Sequence, residues 1–269
     1  TPDGHRLITS SADGATRVWA LTSPPVASLA LRNHGEPALG GVFGADTRHV
    51  IVRGSRSARM FDTVTGEPKT PALVHGDKVD WAAVNADGTC LLTQCRDRQV
   101  RIWSLPTGDL LQSVPLGDDI VGAQWLDRRD RFVTLTGKGE LAVWTTASNS
   151  PLWRLTDTKY KAIHLRVSSD GRWIAAAFDW ARLGLWSSES RQPVLFTECP
   201  IDLTQIRFSP AADHLATGDA EGRVQIRRLR DGQAVGAPRR HGEIIRDLAF
   251  SPDGRLLASL SDDGWVHVS

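Results

Sequence analysis

Methionine and tyrosine occur once each in the 269 residues, cysteine three times, and no long apolar run is present. Each scarcity excludes something. Cys90, Cys95 and Cys199 are too few and too unevenly placed for a disulfide framework or a four-thiolate zinc site. Nothing approaches the roughly 18 consecutive apolar residues of a membrane-crossing helix, and no basic-then-apolar signal segment stands at the start. Asn-x-Ser/Thr glycosylation acceptors are missing too. These gaps favour a reducing, cytoplasmic setting with no membrane partner. An excess of either charge is also lacking: 32 Lys and Arg face 31 Asp and Glu, for a net charge of +1. Bulk charge therefore gives no reason to expect nucleic acid.

Reactive constellations are equally sparse. The sequence contains no nucleophile elbow, phosphate loop, zinc-protease helix or Ca²⁺ loop. Gly137-Lys138-Gly139 lacks the earlier glycine and the following Ser/Thr of a phosphate loop, and reads as a turn. Asp118-Asp119 and Asp262-Asp263 are adjacent strand-type residues that point to opposite faces, which argues against a general acid and base. Cys90 and Cys95 have odd spacing on one strand, hence opposite faces, and cannot jointly grip a metal. No cofactor, metal ligand set or catalytic residue is expected.

What is present is a repeat. Residues 79–103, 203–226 and 245–268 each run as an apolar strand, a turn of the Ser-Pro-Asp-Gly kind, a second apolar strand, an acidic turn and a third strand. The third strand ends at a recurrent position occupied by Trp19, Phe61, Trp103, Trp144, Trp186, Arg227 and Ser269, at intervals of 41 or 42 residues. That period fits four strands of about six residues with four short turns. Leu256-Leu257-Ala258-Ser259-Leu260 alternates at period 2, and the i, i+3, i+4 spacing of a helix is lacking. The expectation is an all-β chain of seven four-stranded antiparallel sheets. Their boundaries fall near 1–31, 32–73, 74–114, 115–156, 157–197, 198–238 and 239–269. One such sheet cannot bury both apolar faces alone, whereas stacking seven covers them.

The chain resembles the WD-repeat family of seven-bladed β-propellers along its whole length. His34-Gly35, His75-Gly76 and His241-Gly242 resemble the start of that family's repeat, and the recurrent aromatics resemble its Trp-Asp end. The resemblance implies a structural hydrogen-bond tetrad of His75, Thr93, Asp97 and Trp103, with Thr9, Asp13 and Trp19 as three-quarters of another. Elsewhere the pattern breaks. Ser55, Lys138, Trp180 and Glu221 take the Asp position, Arg227 the Trp position, and Leu116, Thr158 and Cys199 the His position. The three histidines belong to the repeat rather than to a metal. Thr1-Pro2-Asp3-Gly4 resembles the turn after a first strand, and Ser269 ends a third strand, so the first and last blades each lack one strand. The expectation is a segment of a longer polypeptide, with incomplete blades offering edges for strand pairing.

The arginine-rich Arg227-Arg228-Leu229-Arg230 and Arg239-Arg240 read as a solvated outer strand and loop. The tryptophans sort by position. Trp19, Trp103, Trp144 and Trp186 at the recurrent position, and Trp125, Trp153, Trp173 and Trp265 within strands, are expected in the core. Trp81 and Trp180 break the repeat. By similarity to the family, Asp80, Trp81, Arg96, Asp179, Trp180, Arg246, Asp262 and His164 fall at strand starts or turns facing the rim used for protein contacts, and Trp and Arg suit binding hot spots. The functional expectation is a non-catalytic scaffold binding protein partners through that rim. A regulatory propeller module of a larger bacterial-type kinase or NTPase, as similar SPDG-rich propellers are, is the second reading. A propeller hydrolase is the third.

Overall fold

The computed structural model describes residues 5–11, 13–21, 29–31, 36–46, 48–126, 130–156, 159–199 and 201–269. His34-Gly35, Thr158 and Thr1-Pro2-Asp3-Gly4, singled out above, lie outside them. Among the described residues there is no helix, and twenty-six strands form seven antiparallel sheets. The first sheet holds β1 (Arg6–Ser10), β2 (Thr16–Ala20) and β3 (Leu29–Leu31). The second holds β4 (Gly40–Phe43), β5 (His49–Arg53), β6 (Ser57–Asp62) and β7 (Leu73–Val74), and the third β8 (Val79–Val84), β9 (Cys90–Cys95), β10 (Gln99–Ser104) and β11 (Leu110–Pro115). The fourth is built from β12 (Ile120–Trp125), β13 (Arg131–Thr136), β14 (Glu140–Thr145) and β15 (Trp153–Thr156). The fifth follows with β16 (Ala162–Val167), β17 (Trp173–Phe178), β18 (Arg182–Ser187) and β19 (Pro193–Glu198). The sixth comprises β20 (Leu203–Phe208), β21 (His214–Asp219), β22 (Arg223–Arg228) and β23 (Ala234–Arg240), and the seventh β24 (Ile245–Phe250), β25 (Leu257–Ser261) and β26 (Val266–Val268). The first and seventh sheets thus have three strands, and the others four, all in sequence order.

The chain divides into two compact units, Thr1–Ala123 with Arg128–Asp130 and Thr146–Asn149, and Gln124–Asp127 with Arg131–Thr145 and Ser150–Ser269. Within the first unit, β1 lies against β4 and β4 against β8. Within the second, β13 lies against β16, β16 against β20 and β20 against β24. Each unit buries the faces of neighbouring sheets against one another. Ile51, Leu73, Ala82, Leu91 and Trp103 make one core cluster in the first unit, and Ala175, Leu185, Leu203, Ile206 and Leu215 one in the second.

Turn chemistry fixes the period. In Ser251-Pro252-Asp253-Gly254 the Asp253 carboxylate accepts the Ser251 hydroxyl and the Arg255 N–H, while Gly254 takes φ +71°. The same place holds Gly88 and Gly171, but in the sixth sheet it holds Ala212 at φ +52°, a conformation that a Cβ resists.

The recurrent position carries the same hydrogen bond in three sheets, buried in the third and fourth. Trp19, Trp103 and Trp144 each donate their indole N–H to the threonine ten residues earlier, Thr9, Thr93 and Thr134, at 2.8, 3.0 and 2.9 Å. His75 Nε2 shares a further 2.8 Å hydrogen bond with Thr93 Oγ1, and His241 Nε2 a 2.7 Å bond with Ser259 Oγ.

Two expectations are corrected here. Asp97 does not complete a tetrad by bonding His75: its carboxylate accepts Arg101 at 2.6 Å and the Gln99 N–H at 3.2 Å, because an arginine four residues on reaches across the turn. Asp13 and Arg17 pair in the same way. The tryptophans also sort differently. Trp265 is 69% exposed, since Gly264 at φ +81° turns the chain so that it precedes the solvent-facing strand β26, and Trp19 is 38% exposed on its three-stranded sheet.

Candidate interaction site

The first strand of several sheets carries a β-bulge at its start. In β8 the register runs Val79 with Cys95 and then Trp81 with Gln94, leaving Asp80 as the extra residue. The same slip isolates Ile163 in β16, Thr204 in β20 and Arg246 in β24. A bulge re-aims the side chain at its position, which is why residues that break the repeat collect there. Sixteen residues further on, the turn between the second and third strands returns to the same end of the sheet.

In the third sheet that return is Arg96, whose Nε donates to both oxygens of Asp80 at 2.9 and 3.2 Å. Lys78 Nζ adds a longer contact of 3.9 Å to the same carboxylate. The bond to Asp80 holds the exposed Arg96 guanidinium above its ordinary range. In the seventh sheet the pair recurs with its charges exchanged. Arg246, at the bulge, donates Nε to Asp262 Oδ1 at 2.7 Å and Nη2 to Oδ2. That bond keeps the Asp262 carboxyl below the usual carboxylate range. Asp80–Arg96 and Arg246–Asp262 are therefore the same structural pair, and exposed pairs of this kind contribute little stability because solvent screens them.

Trp81 follows the bulge and is 49% exposed. It borders a small cleft of about 150 Å³ with Gly40, Gly41, Val42, Ile51, Arg53 and Ala82. A larger cleft of about 440 Å³ is lined by Asp77, Asp80, Gln94, Cys95, Arg96, Asp119 and Ile120. Buried Gln94 is locked by its Nε2 donating to Ile120 O at 2.8 Å. Cys95 is closed off, its thiol bonded to Asp77 O and held above its ordinary range by burial.

In the fifth sheet the corresponding turn carries Asp179 and Trp180. Asp179 Oδ1 accepts the Lys161 N–H at 2.8 Å rather than an arginine. Trp180 is 80% exposed and adopts φ +58°, followed by Ala181 at φ +55°. A non-glycine residue in the left-handed region costs on the order of 1 kcal/mol. Here an indole is presented to water on a backbone that disfavours it. His164 lies on the half-exposed face of β16, where burial, then Arg166, hold its imidazole below the ordinary range.

The expected residues thus form three groups on three sheets: Asp80, Trp81 and Arg96; Asp179 and Trp180; Arg246 and Asp262. Gln94, Asp77 and the cleft role of Asp119 are legible only once neighbouring strands are placed. The arginine-rich stretch is largely spent on its own hairpin, with Arg228 and Arg230 on Asp231 and Arg227 on Gly232 O. Gly137-Lys138-Gly139 is a turn, with Gly139 at φ +83°. Among the described residues no group of three or more His, Cys, Asp or Glu side chains is placed to hold a metal ion, and no helix is long and apolar enough to cross a membrane.

Residues 71–104 match the family model "WD domain, G-beta repeat", and residues 206–269 match "Anaphase-promoting complex subunit 4 WD40 domain". The whole chain aligns at 23% identity with 76% of the serine-threonine kinase receptor-associated protein of Rattus norvegicus, and equally with that of Homo sapiens. WD repeat-containing protein SL1-17 of Schistosoma mansoni is 27% identical over 46% of this chain and 42% of its own. Among solved structures, the C-terminal WD40 domain of Sif2 superposes with a TM-score of 0.81 at 18% identity, covering 98% of this chain and 77% of that one. Seven antiparallel sheets with a recurrent Trp–Thr bond, two segments matching WD-repeat models and a solved WD40 domain of the same architecture give this chain the fold of a WD-repeat β-propeller.

Proposed function

We propose that the chain is a non-catalytic scaffold that binds protein partners through the bulge and turn residues Asp80, Trp81, Arg96, Asp179, Trp180, Arg246 and Asp262, with His164 flanking them. One observation carries the reading: Trp180 is 80% exposed on a left-handed backbone, a conformation that costs a non-glycine residue stability. Trp81 adds a half-exposed aromatic on the wall of the smaller cleft, and partly desolvated indoles and guanidiniums supply much contact for little entropy. The larger cleft presents carboxylates already held by cations, Asp80 by Arg96 and Asp119 by Arg98, and suits a polar segment able to meet both charges. A relative named for its association with a serine-threonine kinase receptor supports a protein as the class of partner. The regulatory-module reading gains nothing from the relatives and is not favoured. A cytoplasmic setting belongs to the same proposal, since Cys90, Cys95 and Cys199 are free thiols.

The test is selection of peptides from a random display library on the purified chain, with counter-selection on Trp81→Ala and Trp180→Ala. Binders that lose at least tenfold in affinity on either variant support the scaffold reading. Turnover of a substrate by the purified chain, or binders indifferent to both variants, would overturn it.

A further inference from the structure

The first strands of the second unit carry a cation cluster apart from the bulge and turn pairs. His164 and Arg166 stand two residues apart on β16 and so share a face. Arg207 on β20 is 41 residues beyond Arg166, one repeat, and each arginine lies three residues past its strand's bulge, Ile163 or Thr204. The two therefore hold the same place on strands that lie against one another. Arg207 has a counter-ion, Asp247 on β24, at 2.7 Å. Arg166 has none: its guanidinium donates Nη1 to the carbonyl of its own neighbour Leu165 at 2.8 Å, and no carboxylate among the described residues pairs with it. Burial and the charge of Arg207 hold the Arg166 guanidinium below its ordinary range, with Asp247 opposing, and both arginines depress His164 further than burial does alone.

Two guanidiniums and an imidazole held together out of full solvent, with one carboxylate among them, form a site of uncompensated positive charge. Exposed cations avoid such an arrangement by moving apart, whereas these are carried on strands of two sheets that lie against one another. An oxyanion would turn each repulsion into a charge-assisted hydrogen bond, and the guanidinium fork matches its oxygens in pairs. We propose that Arg166, Arg207 and His164 form a binding site for an oxyanion group, a phosphate or a carboxylate, with the Arg166 fork as its anchor. The site shares only the flanking His164 with the scaffold reading; its anchors, Arg166 and Arg207, are not among the bulge and turn residues that carry that reading, and it stands or falls without it.

The experiment is titration of the chain with inorganic phosphate and, separately, with acetate, at constant ionic strength set by chloride. The His164 imidazole resonances serve as reporter. The expected result is a saturable shift of those resonances, with affinity falling at least tenfold in Arg166→Gln and severalfold in Arg166→Lys, which keeps the charge and loses the fork. Phosphate binding at least tenfold tighter than acetate assigns a phosphate-bearing ligand, and equal or tighter acetate assigns a carboxylate. Both arginine variants are read only alongside a urea transition matching that of the unsubstituted chain, and Arg207→Gln supplies a third variant if Arg166 is needed for folding. No saturable shift with either anion, or an affinity unchanged in folded Arg166→Gln, would overturn the proposal.

Discussion

Thr93→Val isolates the hydrogen-bond core from packing. Thr93 is fully buried on β9, and its hydroxyl oxygen accepts the Trp103 indole N–H at 3.0 Å while sharing a 2.8 Å bond with His75 Nε2. Valine has nearly the same shape, so the apolar contacts of the site survive and only the polar pairing goes. Both partners are then left buried without it, at about 1 to 3 kcal/mol each. The expected loss is about 2 to 6 kcal/mol, read as a lower urea midpoint at unchanged slope. The fifth sheet offers the reciprocal experiment. Trp186 has a buried indole N–H with no partner, and the residue ten before it is Ala176 instead of threonine. Ala176→Thr should restore an acceptor and stabilise by up to about 1 kcal/mol. If Thr93→Val costs less than about 0.5 kcal/mol, the Trp–Thr–His chain is incidental and packing alone holds the sheet.

Three further outcomes follow from the geometry. Ala212→Gly should raise stability by about 0.5 to 1 kcal/mol in the same assay, because it relieves φ +52° at a turn where sister sheets carry glycine; a loss would mean that the turn is unstrained. Trp180→Gly should likewise stabilise, by about 1 kcal/mol, while weakening peptide binding, a trade that a purely structural tryptophan would not show. Burial, and secondarily Arg101, lower the His75 pKa from 6.5 to about 4. The folded state then binds fewer protons than the unfolded one, so this contribution is intact above pH 6.5 and is lost as pH falls toward 4. A urea midpoint that stays flat across that window once the His75 contribution is isolated with His75→Gln would refute the assignment.

The repeat was legible because it is written in turn chemistry. Ser-Pro-Asp-Gly specifies a reversal by local bonds alone, and the Trp–Thr pair is a ten-residue spacing across one hairpin. Features that depend on a neighbour were harder. Asp97 reads as a histidine partner until Arg101 is seen to reach it, although the parallel Asp13–Arg17 spacing was available as a signal. Trp265 looks like a strand core residue until β26 is found to face solvent. Asp80, Arg96, Arg246 and Asp262 were named separately, and only the bulge showed them to be one pair with its charges exchanged. Gln94 could not be found at all, since its place in the cleft depends on a carbonyl of β12.

The most direct test of the scaffold reading is site-specific photocrosslinking in cells of the natural source. A benzophenone amino acid is placed at Trp81 or Trp180, or, as the control, at Val235 on the outer strand β23. Protein adducts that recur at 81 and 180 and are absent at 235 are predicted. Adducts confined to 235, or none at either tryptophan, would contradict it.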